Sequence, residues 1–313
     1  MHPARKPRQR SLWPALLVLL AAGLAAWLLN VSRPGTRVEG CPQGCAAAVP
    51  GDERSLRILS LNVLHGFPRF EELATRLDAV AAEIRRQGVD VACLQEVPWT
   101  PRLGSGAAYL ARATGLNYLY VRANGNRRAI LFEEGEAILS RYPLQDPQVV
   151  ELEPRAGPFE HRVVLRATAA IPWGDLDVFV THLTHGEQDI NRRQASALLA
   201  MVPAAGESPA LVAGDLNAAE GSAQMRALAG AWIDLYRAAN PGQAGATCCV
   251  DDVRQGPGKA MERRIDYLFW VPRGGPVPEV QAWVVLDRPF PREGGWLWPS
   301  DHAGVLVELT GLR

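Results

Sequence analysis

Apolar and polar residues follow two different periods along this chain, and the switches between them mark its elements. Leu56-Arg57-Ile58-Leu59-Ser60-Leu61 reads as a strand that ends at Asn62. From Phe70 to Gln87 the apolar positions fall at 70, 73, 74, 77, 80, 81 and 84, the spacing of one helical face. Val89–Leu94 is then a second, near-continuous apolar strand, so the opening predicts a βαβ unit with a right-handed crossover. Strand-like runs follow at 118–122, 129–132, 136–140, 148–152, 162–169, 176–181, 209–213, 265–271, 280–286 and 304–308. Helical patterns fit only 189–201 and 222–229. Many strands, few helices and buried apolar runs predict two packed sheets with helices outside. Neither a repeat nor a break divides residues 56–313, which read as one domain.

The N-terminus follows a different pattern. Arg5, Lys6, Arg8 and Arg10 lie in a basic tail, residues 1–11, ahead of an apolar run from Leu12 to Val31. A run of about 20 apolar residues can span a bilayer. The basic flank would keep the tail cytoplasmic and export everything after residue 31. A cleaved signal peptide is the rival reading. The run is longer than a signal peptide's and continues through Trp27-Leu28-Leu29 rather than ending in a small-x-small site, which favours an uncleaved transmembrane signal anchor over 12–31. Residues 32–55 carry Pro, Gly and small residues without periodicity and read as a flexible linker.

Composition adds little. The 313 residues are 48% hydrophobic and 21% charged with a net charge of zero, ordinary for a globular core and without the basic excess of most nucleic-acid binders. The cysteines fit an exported domain. Cys41, Cys45, Cys248 and Cys249 are candidates for disulfides, whereas Cys93 lies in an apolar run and reads as a buried free thiol. The spacing of the first four is a poor one for a tetrahedral zinc site.

The chemistry is concentrated at strand ends. Leu61-Asn62, Gln95-Glu96, Thr181-His182, Gly214-Asp215-Leu216-Asn217, Arg264-Ile265-Asp266 and Ser300-Asp301-His302 each place a carboxylate, amide or imidazole where an apolar run meets a loop. Such ends converge when strands share one edge of a sheet. Carboxylates, amides and histidines without a Ser or Cys nucleophile point to metal-assisted water chemistry rather than covalent catalysis.

In this order the motifs resemble the endonuclease/exonuclease/phosphatase (DNase I-like) superfamily, over residues 56–313. Leu59-Ser60-Leu61-Asn62 matches its first-strand Asn motif and Leu94-Gln95-Glu96-Val97 its Gln-Glu motif. Gly135-Glu136-Ala137-Ile138-Leu139-Ser140-Arg141-Tyr142-Pro143 is similar to its central strand, and the four remaining motifs follow in family order. The resemblance implies an α/β fold, a four-layer α/β/β/α sandwich, here preceded by the N-terminal helix. It also implies a phosphoesterase that uses Mg²⁺ or Mn²⁺, a hard ion that takes oxygen ligands.

On that resemblance Glu96 is the primary metal ligand, Asn62 helps hold the ion or the phosphate, and Asp301 is a second ligand. His302 carries the acid–base chemistry and Asp266 fixes its tautomer. Asp215 and Asn217 orient the attacking water and the phosphate, and His182 donates to a non-bridging oxygen. His65, His161 and His185 match no motif. The reaction would be in-line attack of water on a phosphodiester, either a lipid head group or nucleic acid.

Two features bear on the substrate. Leu64 stands where the abasic-site nucleases carry an acid, which leaves a second ion open. Trp296 and Trp298 precede the Asp301-His302 pair and suit either a membrane interface or base stacking. Arg127 and Arg128 read as a solvated hairpin tip rather than phosphate ligands. No stable protein partner is implied. The competing class is an exported binding module that keeps the fold without activity.

Overall fold

The computed structural model describes residues 12–31, 33–46, 55–275 and 277–311. The basic tail over 1–11 and the linker residues 47–54 lie outside them. In chain order the first elements are α1 (Trp13–Val31), β1 (Glu39–Cys41), β2 (Ser55–Asn62), α2 (Leu73–Gln87), β3 (Val91–Thr100), β4 (Gly104–Ser105) and α3 (Gly106–Thr114). Then come β5 (Asn117–Asn126), β6 (Phe132–Ser140), β7 (Leu144–Glu151), β8 (Val163–Ile171), β9 (Gly174–His182) and α4 (Gln188–Ala204). β10 (Ala210–Asp215), α5 (Ala223–Ala231), β11 (Ile233–Asp234), α6 (Leu235–Ala239) and β12 (Asp266–Val271) follow. The chain closes with β13 (Glu279–Val285), β14 (Phe290–Arg292), β15 (Gly295–Leu297) and β16 (Gly304–Thr310).

Two sheets carry the domain. One runs β1-β5-β6-β3-β2-β16-β13, with β4 on β3, and the other runs β11-β12-β10-β9-β8-β7. Alternation along the central strands divides their side chains between two layers of core. Leu56, Ile58, Val91 and Cys93 of the first sheet face Val178, Val180, Leu211, Ala213, Leu268 and Trp270 of the second. The intervening residues point outward. Leu59, Leu61, Ala92 and Leu94 meet α2 and α3, while Phe179, Val212 and Phe269 meet α4 and α5. A strand buried on both faces needs apolar residues at every position, which is why these runs read as near-continuous rather than alternating. The four-layer α/β/β/α sandwich stands as expected.

Some expected boundaries move. Phe70 and Glu72 adopt left-handed backbone conformations, φ 51° and 50°, so α2 begins at Leu73 rather than Phe70. The run 129–132 is mostly turn, and β6 starts at Phe132 and absorbs the expected 136–140 strand. Part of the expected linker is structured, because β1 pairs antiparallel with β5 through Glu39, Gly40 and Cys41. Disulfides join Cys41 to Cys45 and Cys248 to Cys249, and Cys93 is buried and free.

The expected bilayer span over 12–31 is not found. Among the described residues no helix is long and apolar enough to cross a membrane. In α1 side chains are described up to Trp27. All of them are exposed.

β10 runs parallel to β9 and antiparallel to β12, and its approach to β9 requires glycine at 214. A Cβ there would lie 2.0 Å from the Thr181 carbonyl oxygen. Gly214→Ala should therefore cost about 3 kcal/mol, the upper end for overpacking, read as a lower urea midpoint at unchanged slope.

Candidate active site

Strand register assembles the site. Asp215 pairs with His182 on β9 and with Asp266 on β12, so three reactive side chains form one row across three adjacent strands. In the facing sheet Asn62 on β2 pairs with Gln95 on β3. Parity then fixes direction. Asn62 lies an even number of residues from Ile58, Asp215 from Leu211, His182 from Val178 and Asp266 from Leu268, all inward-facing core residues. All four side chains therefore enter the space between the sheets at the same end.

Glu96 reaches that space by a different device. The pairing of β3 with β6 shifts between Leu94 and Val97, and Glu96 adopts φ 55°. Such a bulge re-aims a side chain that regular alternation would send to the opposite face. Asn217, likewise left-handed at φ 49°, turns the chain back after β10 so that its backbone N–H donates to Asp215 Oδ1 at 2.9 Å.

The two sheets meet through Asn62. Its Nδ2 donates to Glu96 Oε1 at 3.0 Å and to Asp215 Oδ2 at 3.2 Å, while its Oδ1 accepts from the Leu64 N–H at 3.0 Å. Asp215 Oδ2 also lies 3.3 Å from His182 Nε2 and 3.8 Å from His302 Nε2. Asn217 Nδ2 stands 2.9 Å from His182 Nε2 and donates to the Leu183 carbonyl at 3.0 Å. His302 Nδ1 is 2.9 Å from Asp266 Oδ2, the expected orienting pair. Ser300 Oγ donates to the Asn62 carbonyl at 2.6 Å and ties the His302 loop to the end of β2.

These contacts set the charges. Burial pushes the Glu96 carboxyl up, but the charges of His65, His182 and His302 and the Asn62 amide outweigh it and hold the group at about 2. Asp215 is lowered in the same way, its burial overcome by His182, His302 and the Asn217 N–H. Burial raises Asp266 to about 6, with Asp215 adding to the effect and His302 opposing it. For His302 burial favours the neutral ring, yet Asp266 and Asp215 raise it well above the ordinary histidine value. Asp301 is raised by burial.

The expected metal ligands are only partly drawn together. Glu96 and Asp301 interact through their charges, but Asp301 faces a separate cleft of about 370 Å³ beside Arg76, Asp251 and Asp252. The Asn62 oxygen is turned to the Leu64 backbone. The donor set still fits a hard divalent ion, because Glu96 is ionised and carboxylate oxygens dominate. Asp215, Asp266 and His302 bring ligand atoms within 4.8 Å of one another; Asp266 Oδ2 is bound to His302 Nδ1 and Asp215 Oδ2 accepts from Asn62, while Asp266 Oδ1 is buried without a partner among the described residues.

Two functional neighbours were not expected. The His65 N–H donates to Glu96 Oε2 at 3.2 Å, and its Nε2 lies 3.4 Å from the same oxygen. Its signal was its place three residues after Asn62. Arg76 is 1% exposed and makes no ion pair among the described residues; its guanidinium donates to the carbonyls of Val63, Leu64, Glu71 and Pro299 at 2.9–3.1 Å. Burial pulls it down to about 10. Position 76 lies on the apolar stripe of α2, where a lone arginine is conspicuous. Conversely, Trp298 is buried with its Nε1 donating to Gln255, and only Trp296 is partly exposed. Arg127 is engaged by Glu133 and Glu39 over the Trp99 ring, and His161 is buried against Glu151.

The family model described as the endonuclease/exonuclease/phosphatase family matches residues 59–302. No curated protein matches the chain. Among solved structures, an endonuclease/exonuclease/phosphatase from Beutenbergia cavernae DSM 12333 is 25% identical at a TM-score of 0.63, over 82% of this chain and 72% of that one. A family protein from Bacteroides thetaiotaomicron is 17% identical at 0.64, over 82% and 97%. The mannosyl-6-phosphatase Bt3783 of Bacteroides thetaiotaomicron VPI-5482 is 18% identical at 0.62, over 82% and 99%. The last two share the fold.

The depressed Glu96 pKa has a stability consequence. Its contribution is present above the ordinary value of 4.5 and is lost as the pH falls from there toward 2. Urea midpoints measured across that window should fall less steeply for Glu96→Gln than for the unaltered protein.

Proposed function

The chain belongs to the endonuclease/exonuclease/phosphatase family, and on that premise we propose that it is a metal-dependent phosphodiesterase. The observation that carries this reading is the single cluster in which Asn62 joins Glu96 to Asp215, with His182, Asn217 and the His302–Asp266 pair around it. Glu96 would hold Mg²⁺ or Mn²⁺, which supplies positive charge for the phosphoryl oxygens, with Asn62 bound to the Glu96 carboxylate and Asp301 joining from the neighbouring cleft.

The protein's own groups do the rest. Asp215, with Asn217 fixed against it, accepts a hydrogen bond from water and aligns it for in-line attack. Its lowered pKa makes it a weak base at neutral pH. A loose phosphoryl-transfer transition state asks more for positioning and charge than for early proton removal, so a weak base suffices. His302 is held as the imidazolium by Asp266 and Asp215 and meets the charge that develops on the phosphate. His182 lies on the same oxygen of Asp215 and donates beside it.

Two features support a lipid rather than a nucleic-acid substrate. Beside His65 an aromatic wall of Phe67, Phe70 and Phe132 continues from the site, with His65 and Phe132 centroids 5.1 Å apart. Phe67, Ile130 and Leu131 extend it outward, 46%, 44% and 57% exposed, and aliphatic tips suit acyl chains better than bases. The apolar α1, exposed along its described side chains, fits attachment of an exported domain to a membrane through residues 12–31.

Hydrolysis of bis-p-nitrophenyl phosphate should vanish with EDTA, return with Mg²⁺ or Mn²⁺, and fall about 10²–10⁴-fold in His302→Ala. No turnover on this ester, on phosphomonoesters or on phospholipid vesicles by folded protein would leave the binding module as the reading. Asp266→Asn removes the charge that raises His302, so the alkaline limb of the pH–rate profile should move to lower pH. Phospholipid vesicles should be cleaved in preference to duplex DNA, with Leu131→Ser weakening the vesicle reaction alone.

A further inference from the structure

The disulfide at Cys248–Cys249 lies against the catalytic histidine, and nothing in the proposed reaction uses it. The segment 247–250 is threaded between the two loops that supply the His302–Asp266 pair. Cys248 bridges to Arg263 on one side and to His302 on the other. Its N–H donates to the Arg263 carbonyl at 2.9 Å, and the Arg263 N–H returns the bond at 2.9 Å. On the far side the Ala303 N–H donates to the Thr247 carbonyl at 2.7 Å and the Val250 N–H to the Asp301 carbonyl at 3.0 Å. Backbone bonds on both flanks thus hold the two sulfurs near His302 whether or not they are joined to each other.

Ligand atoms of Cys248, Cys249 and His302 all lie within 4.8 Å of one another. Zinc–sulfur bonds of about 2.3 Å and zinc–nitrogen bonds of about 2.0 Å bring donors to such separations after small side-chain rotations. Arg263 Nη2 stands 3.5 Å from the Cys248 sulfur and 3.2 Å from the Cys249 sulfur, a cation that favours thiolates when the pair is reduced. Cys248 is buried and Cys249 half-buried, so the pair is open on one side. The hard-ion carboxylates around Glu96 form a separate donor set of different chemistry.

We propose that the reduced Cys248–Cys249 pair and His302 form a binding site for a thiophilic divalent cation such as Zn²⁺. A dithiol or phosphine reductant delivers two electrons, and the disulfide takes up two protons to give two thiols. Binding of the ion then displaces both thiol protons and the extra proton of the imidazolium, leaving two thiolates and a neutral nitrogen as donors. The three protein donors leave one coordination position for water. Occupancy takes His302 away from the phosphate, so the same ion is an inhibitor of the reduced enzyme. Binding itself is independent of which ester the enzyme hydrolyses.

The test uses the full chain in detergent with Cys41→Ser and Cys45→Ser, which removes the other reducible pair. After reduction and anaerobic removal of the reductant, Co²⁺ should give thiolate-to-metal charge-transfer absorption that saturates at one equivalent. Zn²⁺ should abolish it. The same preparation left oxidised should show none, and reoxidation should expel the ion, so the comparison needs no altered fold. Cys249→Ser should lose the band, and His302→Ala should weaken Zn²⁺ binding at least about tenfold, a difference of about 1.4 kcal/mol. Absence of the band in reduced protein, or its survival in Cys249→Ser, overturns the site. Unchanged Zn²⁺ affinity in His302→Ala overturns the part assigned to the imidazole.

Discussion

The Asn62 amide is the contact on which the site depends, because its one nitrogen donates to a carboxylate of each sheet. Glu96 and Asp215 approach the same nitrogen at 3.0 and 3.2 Å, and the shared donor offsets the repulsion of two buried anions gathered around it. Asp266 and Asp301 add to that load. His65, His182 and His302 and the backbone N–H groups of His65 and Asn217 supply the compensation. The outcome is a division of labour by charge state. Two carboxylates are pushed firmly toward ionisation, while Asp266 is pushed the other way and shares its proton chemistry with His302. Burying such a set is costly, and only a well-paired network makes it tolerable.

The geometry of that network is enforced by backbone that is itself strained. Leu64, Phe70, Glu72, Glu96 and Asn217 all adopt left-handed conformations, and all but one of them are residues for which these are unfavourable. Each such residue costs about 1–3 kcal/mol and persists only where its surroundings over-determine it. Arg76 is what over-determines the loop after Asn62. A cation buried without a carboxylate partner is expensive, and its bonds to four carbonyls bind residues 63–71 to Pro299, one residue before the Ser300-Asp301-His302 motif. The helix face that packs the core therefore also registers two loops of the site against each other.

Much of this was legible in the sequence, for a definite reason. Apolar runs report where strands lie, so Asn62, His182, Asp215 and Asp266 could be placed at strand ends, but runs apolar at every position carry no alternation, and the parity that aims the four inward came from the structure. The layers followed from how many runs were apolar on both faces. What could not be read was contact between segments without a shared period. The bulge that turns Glu96 inward leaves no local pattern, since Gln95-Glu96 looks the same in a regular strand. His65 carried no periodic signal, and its contact with Glu96 depends on the left-handed turn at Leu64. The pairing of Glu39–Cys41 with β5 was hidden because three residues are too few to show alternation.

The chemistry and the means of choosing a substrate occupy different kinds of structure. His182, Asp215 and Asp266 are set by the register of three adjacent strands, which a one-residue slip would destroy along with both layers of core. Phe67 and Phe70 of the aromatic wall and the apolar tips at Ile130 and Leu131 lie in loops, against Phe132 at the start of β6. Changes there alter what is presented to the site without moving the row of reactive groups. His65 is the joint between the two, touching the Glu96 carboxylate on one side and the Phe132 ring on the other. Under the proposed function, a substrate group bound against the wall would act on the residue that helps keep Glu96 ionised, coupling substrate fit to the carboxylate assigned to the metal.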